Sequence, residues 1–198
     1  MTARLAVLVS GSGSNLQAIL DACATGRLDA QVVAVVSDQP EAYGLSRAQE
    51  AGVVTVRCFP RTKGVDRRAW DAGLADIVAG ASPDWVVLAG FMRVLSSSFL
   101  DVFSNRVINL HPALPGEFHG TKAIKRAYEE FRAGQRTGTG VMVHLVPDER
   151  VDNGPVLATR EVPIHIDDTI ETLAARMHET EHQLLVETLA RLTEEVPA

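Results

Sequence analysis

The sequence is short of cysteine and has no long apolar run, and both shortages exclude classes of protein. Only two cysteines, Cys23 and Cys58, occur among 198 residues, and their separation fits neither a CxxC redox motif nor a set of zinc ligands. No apolar segment reaches the length of a transmembrane helix. The N-terminus leads directly into a strand-like segment and not into a signal-peptide core. We therefore expect reduced thiols, no membrane partner and a cytoplasmic location.

The sequence also has no excess of basic residues. The net charge is −6 at pH 7, which argues against a broad nucleic-acid-binding surface. The six histidines show no paired ligand spacing, so we expect no metal. The hydrophobic fraction of 46% is ordinary for a globular protein, and 198 residues without a shift in composition predict a single domain.

Short apolar segments alternate with segments of helical periodicity. Residues 5–9 are continuously apolar, which is typical of a strand covered on both faces in a parallel sheet. Further strands are predicted at residues 31–37, 54–57, 85–89, 107–112, 140–145 and 156–162. Helices are predicted at residues 42–51, 67–79 and 121–133. A first helix should open with Ser14 and Gln17 as a capping box and stop at Gly26, and a last one should open with Asp168 and Glu171 and run to about Thr193.

The segment Val-Ile-Asn-Leu-His-Pro at residues 107–112 predicts a site at the end of a strand. Pro112 cannot donate to a sheet ladder and marks the strand's end. The two-residue period of a strand puts Asn109 and His111 on one face. An amide and an imidazole that converge there are suited to carbonyl-transfer chemistry, although a structural role for His111 is the alternative.

The segment Ser-Gly-Ser-Gly-Ser-Asn at residues 10–15 lies between the first strand and the first helix. Backbone N–H groups and the positive end of the helix dipole make such a loop suitable for an anion. Leu16 occupies the position of the third glycine in a dinucleotide fingerprint, and no Lys-Ser/Thr pair completes a P-loop. We therefore favour a single phosphate over a pyrophosphate, with a plain tight turn as the alternative.

Three further positions carry weaker signals. Asp38 lies where a dinucleotide enzyme keeps its ribose-binding acid, which leaves an oxidoreductase open. Asp152 lies in the acidic loop 147–155, where Asn153-Gly154 predicts a tight turn that would hold its carboxylate still. Glu181 falls on the apolar stripe of the last helix, so either it borders a site together with His178 or a bent helix exposes it.

Four motifs occur together and in order: residues 10–17 (SGSGSNLQ), 89–95 (AGFMRVL), 109–114 (NLHPAL) and 152–155 (DNGP). They resemble the glycinamide ribonucleotide formyltransferases of purine synthesis over nearly the whole chain. The resemblance implies an α/β fold of one domain, 1–198, with a mostly parallel Rossmann-like sheet and helices on both faces. It also implies a nucleotide-binding half, about 1–105, and a folate-binding and catalytic half, about 106–198.

The resemblance further implies roles for individual residues. The co-substrate would be 10-formyltetrahydrofolate without a metal, and the assembly a monomer or homodimer. The catalytic residues would be Asn109, His111 and Asp152. The phosphate of glycinamide ribonucleotide would lie on Gly13, Ser14 and Asn15, with help from Glu181 and His178 of the last helix, and Pro112 would also contact this substrate. The folate would contact Arg67, Met92, Arg93, Val94, Leu95, Asn109, Asp148, Glu149, Arg150, Val151 and Asp152.

The chemistry of formyl transfer suggests a task for each member of the catalytic trio, Asn109, His111 and Asp152. When the substrate amine attacks the formyl carbon, negative charge develops on oxygen, and we expect the Asn109 amide and a protonated His111 to stabilise it. Asp152 would favour the imidazolium and orient the ring. The alternatives are a formyltetrahydrofolate enzyme that uses water, an amino sugar or an aminoacyl-tRNA as acceptor, a dinucleotide-dependent oxidoreductase, and a non-catalytic nucleotide-binding module.

This sequence departs from the family's common pattern in three places. Leu114-Pro115-Gly116 stands where many members read Leu-Leu-Pro, and the loop before Asp152 is about one residue longer than in common bacterial forms. His178 occupies a position that is often Gln. We expect the first two departures to affect the folate loop and the third to affect the phosphate site.

Overall fold

The first strand lies in the middle of the sheet and is buried on both faces. In the computed structural model, which describes residues 2–194, β1 spans Ala3–Val9 and pairs in parallel with two neighbours. Its alternate residues enter two different cores: Leu5 and Val7 pack in one, and Ala6 and Leu8 in the other. A strand that must be apolar on both sides explains the unbroken apolar run in the sequence.

Within residues 2–194 the chain forms seven strands and six helices. The remaining strands are β2 (Ala30–Ser37), β3 (Thr55–Cys58), β4 (Trp85–Leu88), β5 (Val107–His111), β6 (Gly138–Leu145) and β7 (Val156–Pro163). The helices are α1 (Ser14–Ala24), α2 (Tyr43–Glu50), α3 (Arg67–Ala79), α4 (Ser97–Leu100), α5 (Ala123–Arg132) and α6 (Ile170–Glu194). The single turn α4 was not predicted, and α5 begins two residues later than predicted.

The seven strands form one sheet in the order β3-β2-β1-β4-β5-β6-β7. The first five run parallel, whereas β6 is antiparallel to both β5 and β7. Residues of α1, α2, α5 and α6 pack in one core, and residues of α3 and α4 pack in the other. The predicted α/β class, with a mostly parallel sheet and helices on both faces, is confirmed. No helix in the described part of the chain is long and apolar enough to cross a membrane.

The order of the strands determines where a ligand can enter. The chain passes from β1 outward through β2 to β3, then returns to β4 on the other side of β1. The connections after β1 and β4 therefore leave the sheet in opposite directions, which opens a crevice at the carboxyl ends of these two strands.

Both predicted capping boxes are wrong, for different reasons. Gly13, in a left-handed conformation, is the N-cap of α1, so Ser14 lies inside the helix and makes no cap hydrogen bond. Gln17 instead donates to Asp21 and accepts from Arg47. At the last helix, the reciprocal bonds join Thr169 and Thr172.

Asp168 holds the turn before α6 and does not cap the helix. Its carboxylate accepts from the backbone N–H of His165 at 2.7 Å and from both outer nitrogens of Arg176, at 2.8 and 2.7 Å. The Arg176 guanidinium holds the pKa of Asp168 well below its usual range. Ion pairing therefore replaces a capping role as the reason for an acid at this position.

We expect Gly154→Ala to destabilise the fold. A Cβ at Gly154 would overlap the Leu145 carbonyl oxygen, and the loop is fixed there because Leu145 N–H donates to Pro155 O at 2.9 Å. Such overpacking should lower the free energy of unfolding by about 3 kcal/mol, measured by denaturant titration. Gly80→Ala is the matched control, since its Cβ would meet Asp76 O at an ordinary 3.4 Å. Equal stability of the two variants would contradict the tight approach.

Candidate active site

Nearly all of the predicted site residues line one cavity of about 490 Å³. It lies at the carboxyl ends of β1, β4 and β5. The walls come from the glycine loop 10–15, the segment 88–95, the end of β5, the loop 148–152 and one face of α6. The cavity is lined by the predicted residues Gly13, Ser14, Asn15, Met92, Arg93, Val94, Leu95, Asn109, His111, Pro112, Asp148, Glu149, Arg150, Val151, Asp152, His178 and Glu181. Of the predicted site residues, only Arg67 lies outside it.

Asn109, His111 and Asp152 meet at the end of β5. The Asn109 amide donates from Nδ2 to Asp152 Oδ1 at 3.1 Å, and His111 Nδ1 lies 3.3 Å from Asp152 Oδ2. The two-residue period of β5 places Asn109 and His111 on one side, and Asp152 reaches them from a loop more than 40 positions later. One carboxylate therefore bridges an amide and an imidazole.

The left-handed backbone at Asp152, with φ 51°, turns its carboxylate toward β5. The backbone N–H of Gly120 donates to Oδ2 at 2.7 Å and fixes it there. Burial alone would raise the pKa of Asp152, but contacts with His144, Gly120 N–H and His111 outweigh burial and lower it. Asp152 is therefore an anion at neutral pH.

His111 is buried, with 4% of its surface exposed, and both ring nitrogens face acceptors. Nε2 lies 3.2 Å from the Phe118 carbonyl oxygen, and Nδ1 faces Asp152. Burial lowers the pKa of His111, and the opposing influence of Asp152 and Phe118 leaves it below the usual value. This differs from the expected resting imidazolium, because a ring with a lowered pKa is mostly neutral at pH 7. The two acceptors nevertheless prepare the ring to take up a proton.

His144 completes the cluster, although no role was predicted for it from the sequence. It lies opposite Asn109 in the antiparallel pair β5–β6, and its Nε2 is 3.1 Å from the Asn109 amide nitrogen. Its Nδ1 lies 2.8 Å from the Leu145 carbonyl oxygen, which can only accept. A neutral His144 therefore donates from Nδ1 and accepts from Asn109 at Nε2. The only signal in the sequence is a polar residue in the apolar strand 138–145.

The glycine loop is held from outside by α2. Arg47 donates from Nε to the Ser12 carbonyl at 2.8 Å, and the Gly44 N–H donates to the Gly11 carbonyl at 3.1 Å. Gly13, with φ 70°, must lack a side chain because a Cβ would lie 2.6 Å from the Gly44 Cα. The first N–H groups of α1 have no partner within the helix and point out of its end. Leu16 is fully buried, so its side chain fills the place that a dinucleotide fingerprint leaves to glycine.

The Asp38 carboxylate is already hydrogen-bonded to other residues of the chain. Its carboxylate accepts from Ser10 Oγ at 2.6 Å and from Arg93 Nε at 2.7 Å, and Ser10 Oγ in turn accepts from the Met92 N–H at 2.8 Å. Burial would raise the pKa of Asp38, but its hydrogen bonds with Ser10, Arg93 and Gln39 lower it. The carboxylate therefore joins the glycine loop to the segment after β4 and is not free for a ribose.

Glu181 is buried in α6, with 5% of its surface exposed, so the alternative of a helix that exposes it is wrong. Its Oε2 lies 2.9 Å from His178 Nδ1 and accepts from Asn15 Nδ2 at 3.4 Å. The buried Oδ1 of Asn15 has no hydrogen-bond partner within the described residues. A ligand that donates hydrogen bonds would satisfy this oxygen.

The predicted folate contacts form the more apolar end of the cavity. Met92, Val94 and Val151 expose 64%, 45% and 42% of their surfaces around it. Arg67 lies beside this end in a neighbouring pocket that shares Met92, Arg93 and Val94 with the cavity. Arg67 donates to Glu149 at 2.8 Å, and Glu149 accepts from the Ser97 N–H at 3.1 Å, so these contacts tie the loop 148–152 to α3 and α4. An aromatic ligand with an anionic tail would fit this arrangement.

No group of three or more His, Cys, Asp or Glu residues within residues 2–194 is arranged to hold a metal ion.

Comparison with known proteins places the chain among one-carbon transferases. Residues 3–189 match the family described as formyl transferase. The phosphoribosylglycinamide formyltransferase of Schizosaccharomyces pombe is 43% identical over 97% of this chain and 98% of its own length, and that of Dictyostelium discoideum is 40% identical over 98% and 99%. The crystal structure of glycinamide ribonucleotide transformylase 1 from Geobacillus kaustophilus has a TM-score of 0.90 at 39% identity and covers 98% of this chain and 100% of that one. With nearly complete coverage in sequence and in structure, this chain belongs to the formyl transferase family.

Proposed function

We propose that this protein transfers the formyl group of 10-formyltetrahydrofolate to the amino group of glycinamide ribonucleotide, a step of purine synthesis. The observation that carries the proposal is the meeting of Asn109, His111 and Asp152 between the glycine loop and an apolar pocket in one cavity. The relatives named phosphoribosylglycinamide formyltransferase and glycinamide ribonucleotide transformylase support the same reaction. Formyl transfer needs both a site for the amine and a site for the folate, and this cavity is large enough to hold the reacting ends of both.

The Asn109 amide stabilises the oxygen that becomes negative when the amine attacks the formyl carbon. Its two hydrogens face Asp152 Oδ1 and His144 Nε2, and each of these atoms lies 3.1 Å from the amide nitrogen. A neutral imidazole nitrogen is a weaker acceptor than an oxyanion, so the hydrogen that faces His144 turns to the substrate as negative charge develops. Donation that strengthens only in the transition state accelerates the reaction.

The pair of His111 and Asp152 takes the proton that the attacking nitrogen must lose, relayed by water because both nitrogens of the His111 ring already face acceptors. The lowered pKa of His111 leaves the ring neutral before the reaction, and Asp152 stabilises the imidazolium once it forms. The imidazolium then supports the oxyanion and returns a proton to the departing folate nitrogen. The order of events differs from the expectation of a ring that is protonated from the start, whereas the residues and their tasks stay the same.

The ribonucleotide occupies the end of the cavity formed by the glycine loop. Its phosphate lies against the N–H groups of Gly13, Ser14 and Asn15 at the start of α1, where the helix dipole favours an anion. Glu181 can only accept hydrogen bonds, so it binds the ribose hydroxyls and not the phosphate. Pro112 borders the passage between the phosphate end and the trio.

The folate occupies the apolar end. Its ring system packs against the segment Met92–Leu95 and the loop 148–152, and Arg67 lies beside the cavity in position for the anionic glutamate tail. Arg150 is paired with Asp148 within the loop, at 2.7 Å. The monomeric or homodimeric assembly and the cytoplasmic location stay predictions.

An assay of the purified protein tests the proposal and separates it from the other acceptors. Tetrahydrofolate release from 10-formyltetrahydrofolate should require glycinamide ribonucleotide and should yield the N-formyl product. Release at the same rate with water alone would indicate a deformylase, and release only with an amino sugar would indicate another transferase. The occupied Asp38 and the buried Leu16 already count against an oxidoreductase.

We expect Asn109→Ala and His111→Ala each to lower kcat by about 100- to 1,000-fold, the usual effect of losing a donor to the oxyanion. Asp152→Asn should lower kcat to a similar extent, because it removes the charge that stabilises the imidazolium. Binding of glycinamide ribonucleotide, measured by calorimetry, should change little because its phosphate and ribose are bound elsewhere. His165→Ala is the control, since this exposed histidine lies outside the cavity. A variant of the trio with the wild-type kcat would have no place in the mechanism.

Glu181→Ala should act on binding. Loss of a buried charged acceptor for the ribose should raise KM for glycinamide ribonucleotide about tenfold and leave kcat nearly unchanged. Glu179→Ala, an exposed position on the same helix, is the matched control. If Glu181→Ala lowers only the melting temperature, Glu181 has a structural role and does not contact the substrate.

A further inference from the structure

A turn in the loop after β5 contacts both members of the pair that handles the proton. The Phe118 carbonyl oxygen lies 3.2 Å from His111 Nε2, and the Gly120 N–H donates to Asp152 Oδ2 at 2.7 Å. Phe118 itself is 7% exposed and lies outside the cavity. The turn therefore acts on the catalytic residues through its backbone, and whatever fixes this backbone also fixes the His111 ring.

Phe118 has a backbone conformation that residues with a side chain seldom adopt. Its φ is 46°, in the left-handed region, where the Cβ crowds the following carbonyl oxygen. Such a conformation persists only when the surrounding structure imposes it. The contacts of the Phe118 ring therefore decide whether its carbonyl keeps its direction toward His111.

Two guanidinium groups lie over the Phe118 ring. The central carbon of the Arg136 guanidinium is 4.3 Å from the ring centroid, and that of Arg126 is 5.0 Å away. Both distances are within the range of a cation–π contact. Arg126 is exposed, whereas the side chain of Arg136 is only 16% exposed. Water weakens the contact with Arg136 less, so Arg136 is the stronger of the two.

Arg136 is itself held by three acceptors from three parts of the chain. Its Nε donates to Glu130 of α5 at 2.9 Å. Its Nη1 donates to Glu117 at 3.1 Å and to the Gly138 carbonyl oxygen, at the start of β6, at 2.9 Å. A planar guanidinium can make these bonds at its edge and present its face to an aromatic ring. Arg136 therefore ties the turn that contains Phe118 to α5 and to the sheet.

We propose that Arg136 is a positioning residue for the reaction, which holds Phe118 so that its carbonyl oxygen meets the His111 ring at Nε2. The inference rests on the proposed function, because it concerns the residue that handles the proton in that reaction. Arg136 lies outside the cavity, so it acts through Phe118 and touches neither substrate.

Loss of the Phe118 contact should change the titration of His111 in a definite direction. Burial lowers the pKa of His111, and the Asp152 carboxylate and then the Phe118 carbonyl oppose this. Without the carbonyl the pKa should fall further, and the neutral ring that accepts the proton would persist to lower pH. The acid limb of the kcat/KM profile should then move to lower pH. His144 and His119 are the other titratable groups near the ring, and substitutions at position 136 leave both unaltered.

Arg136→Met is the main test, because methionine keeps an unbranched side chain and loses the charge. Its kcat should fall about tenfold with little change in KM for either substrate, as expected when a catalytic group is misplaced. The acid limb should move to lower pH by about half a pH unit, the equivalent of one weak hydrogen bond. Arg136→Lys retains a cation that can lie over the ring and should restore most of kcat. Arg132→Met, at an exposed arginine of α5, is the matched control and should follow the wild type.

Phe118→Leu tests the same contact from its other side and leaves the ion pairs of Arg136 in place. Leucine fills the buried position but offers no aromatic face, so its kcat and its acid limb should resemble those of Arg136→Met. The double variant should lose no more kcat than either single variant, because both substitutions remove one interaction. Full multiplication of the two losses would overturn the link between Arg136 and Phe118.

A readout without turnover separates this inference from the proposed reaction. The His111 imidazole, followed by NMR in the absence of substrates, should titrate at lower pH in Arg136→Met than in the wild type. An unmoved titration, a wild-type kcat, or a lower kcat with an unmoved acid limb would overturn the positioning role of Arg136. A wild-type protein that does not formylate glycinamide ribonucleotide would overturn the proposed function instead, and the NMR comparison would still test the link between Arg136 and His111.

Discussion

The arrangement of the site depends on one carboxylate, that of Asp152, which lies more than 30 residues in sequence from Asn109, His111 and Gly120. It accepts from the Asn109 amide and from the Gly120 N–H, and it faces the His111 ring. The carboxylate thereby fixes β5, the loop that follows it and the loop before β7 to one another. An unpaired buried charge would be costly, so the same contacts that align Asn109 and His111 also stabilise this position of the loop.

A second carboxylate fixes the opposite wall. Asp38 accepts from Ser10 and Arg93, and Ser10 in turn accepts from the N–H of Met92. The end of β2 is thus joined to the glycine loop after β1 and to the segment after β4, which are the two sides of the crevice. Dinucleotide enzymes of a related fold keep a ribose-binding acid at this position. Here the acid holds the wall of the cavity together, and the proposed phosphate end and folate end therefore keep fixed relative positions.

Much of the fold was predictable because it depends on local patterns. The apolar runs identify buried strands, and the position of Glu181 on an apolar stripe predicts a carboxylate that needs partners. Asn109 and His111 share a face by strand period alone. The contributions of His144 and Gly120 depend on which strands pair and where loops return, and no local pattern encodes this. The capping boxes failed because Gly13 takes the N-cap position of α1, which places Ser14 inside the helix, and because Thr169 and Thr172 make the reciprocal bonds at the start of α6.

The pKa values of the two histidines that pair with carboxylates in this cavity are shifted in opposite directions, and the extent of burial is the reason. His111 beside Asp152 is 4% exposed, and the loss of water outweighs its carboxylate, so its pKa is lowered. The His178 side chain beside Glu181 is 52% exposed, and there the carboxylate outweighs burial, so its pKa is raised. A ring with a lowered pKa is suited to accept a proton, as the proposed mechanism requires of His111. The same pair of side chain types thus acquires different acid–base properties at two places in the cavity, according to how much water each ring keeps.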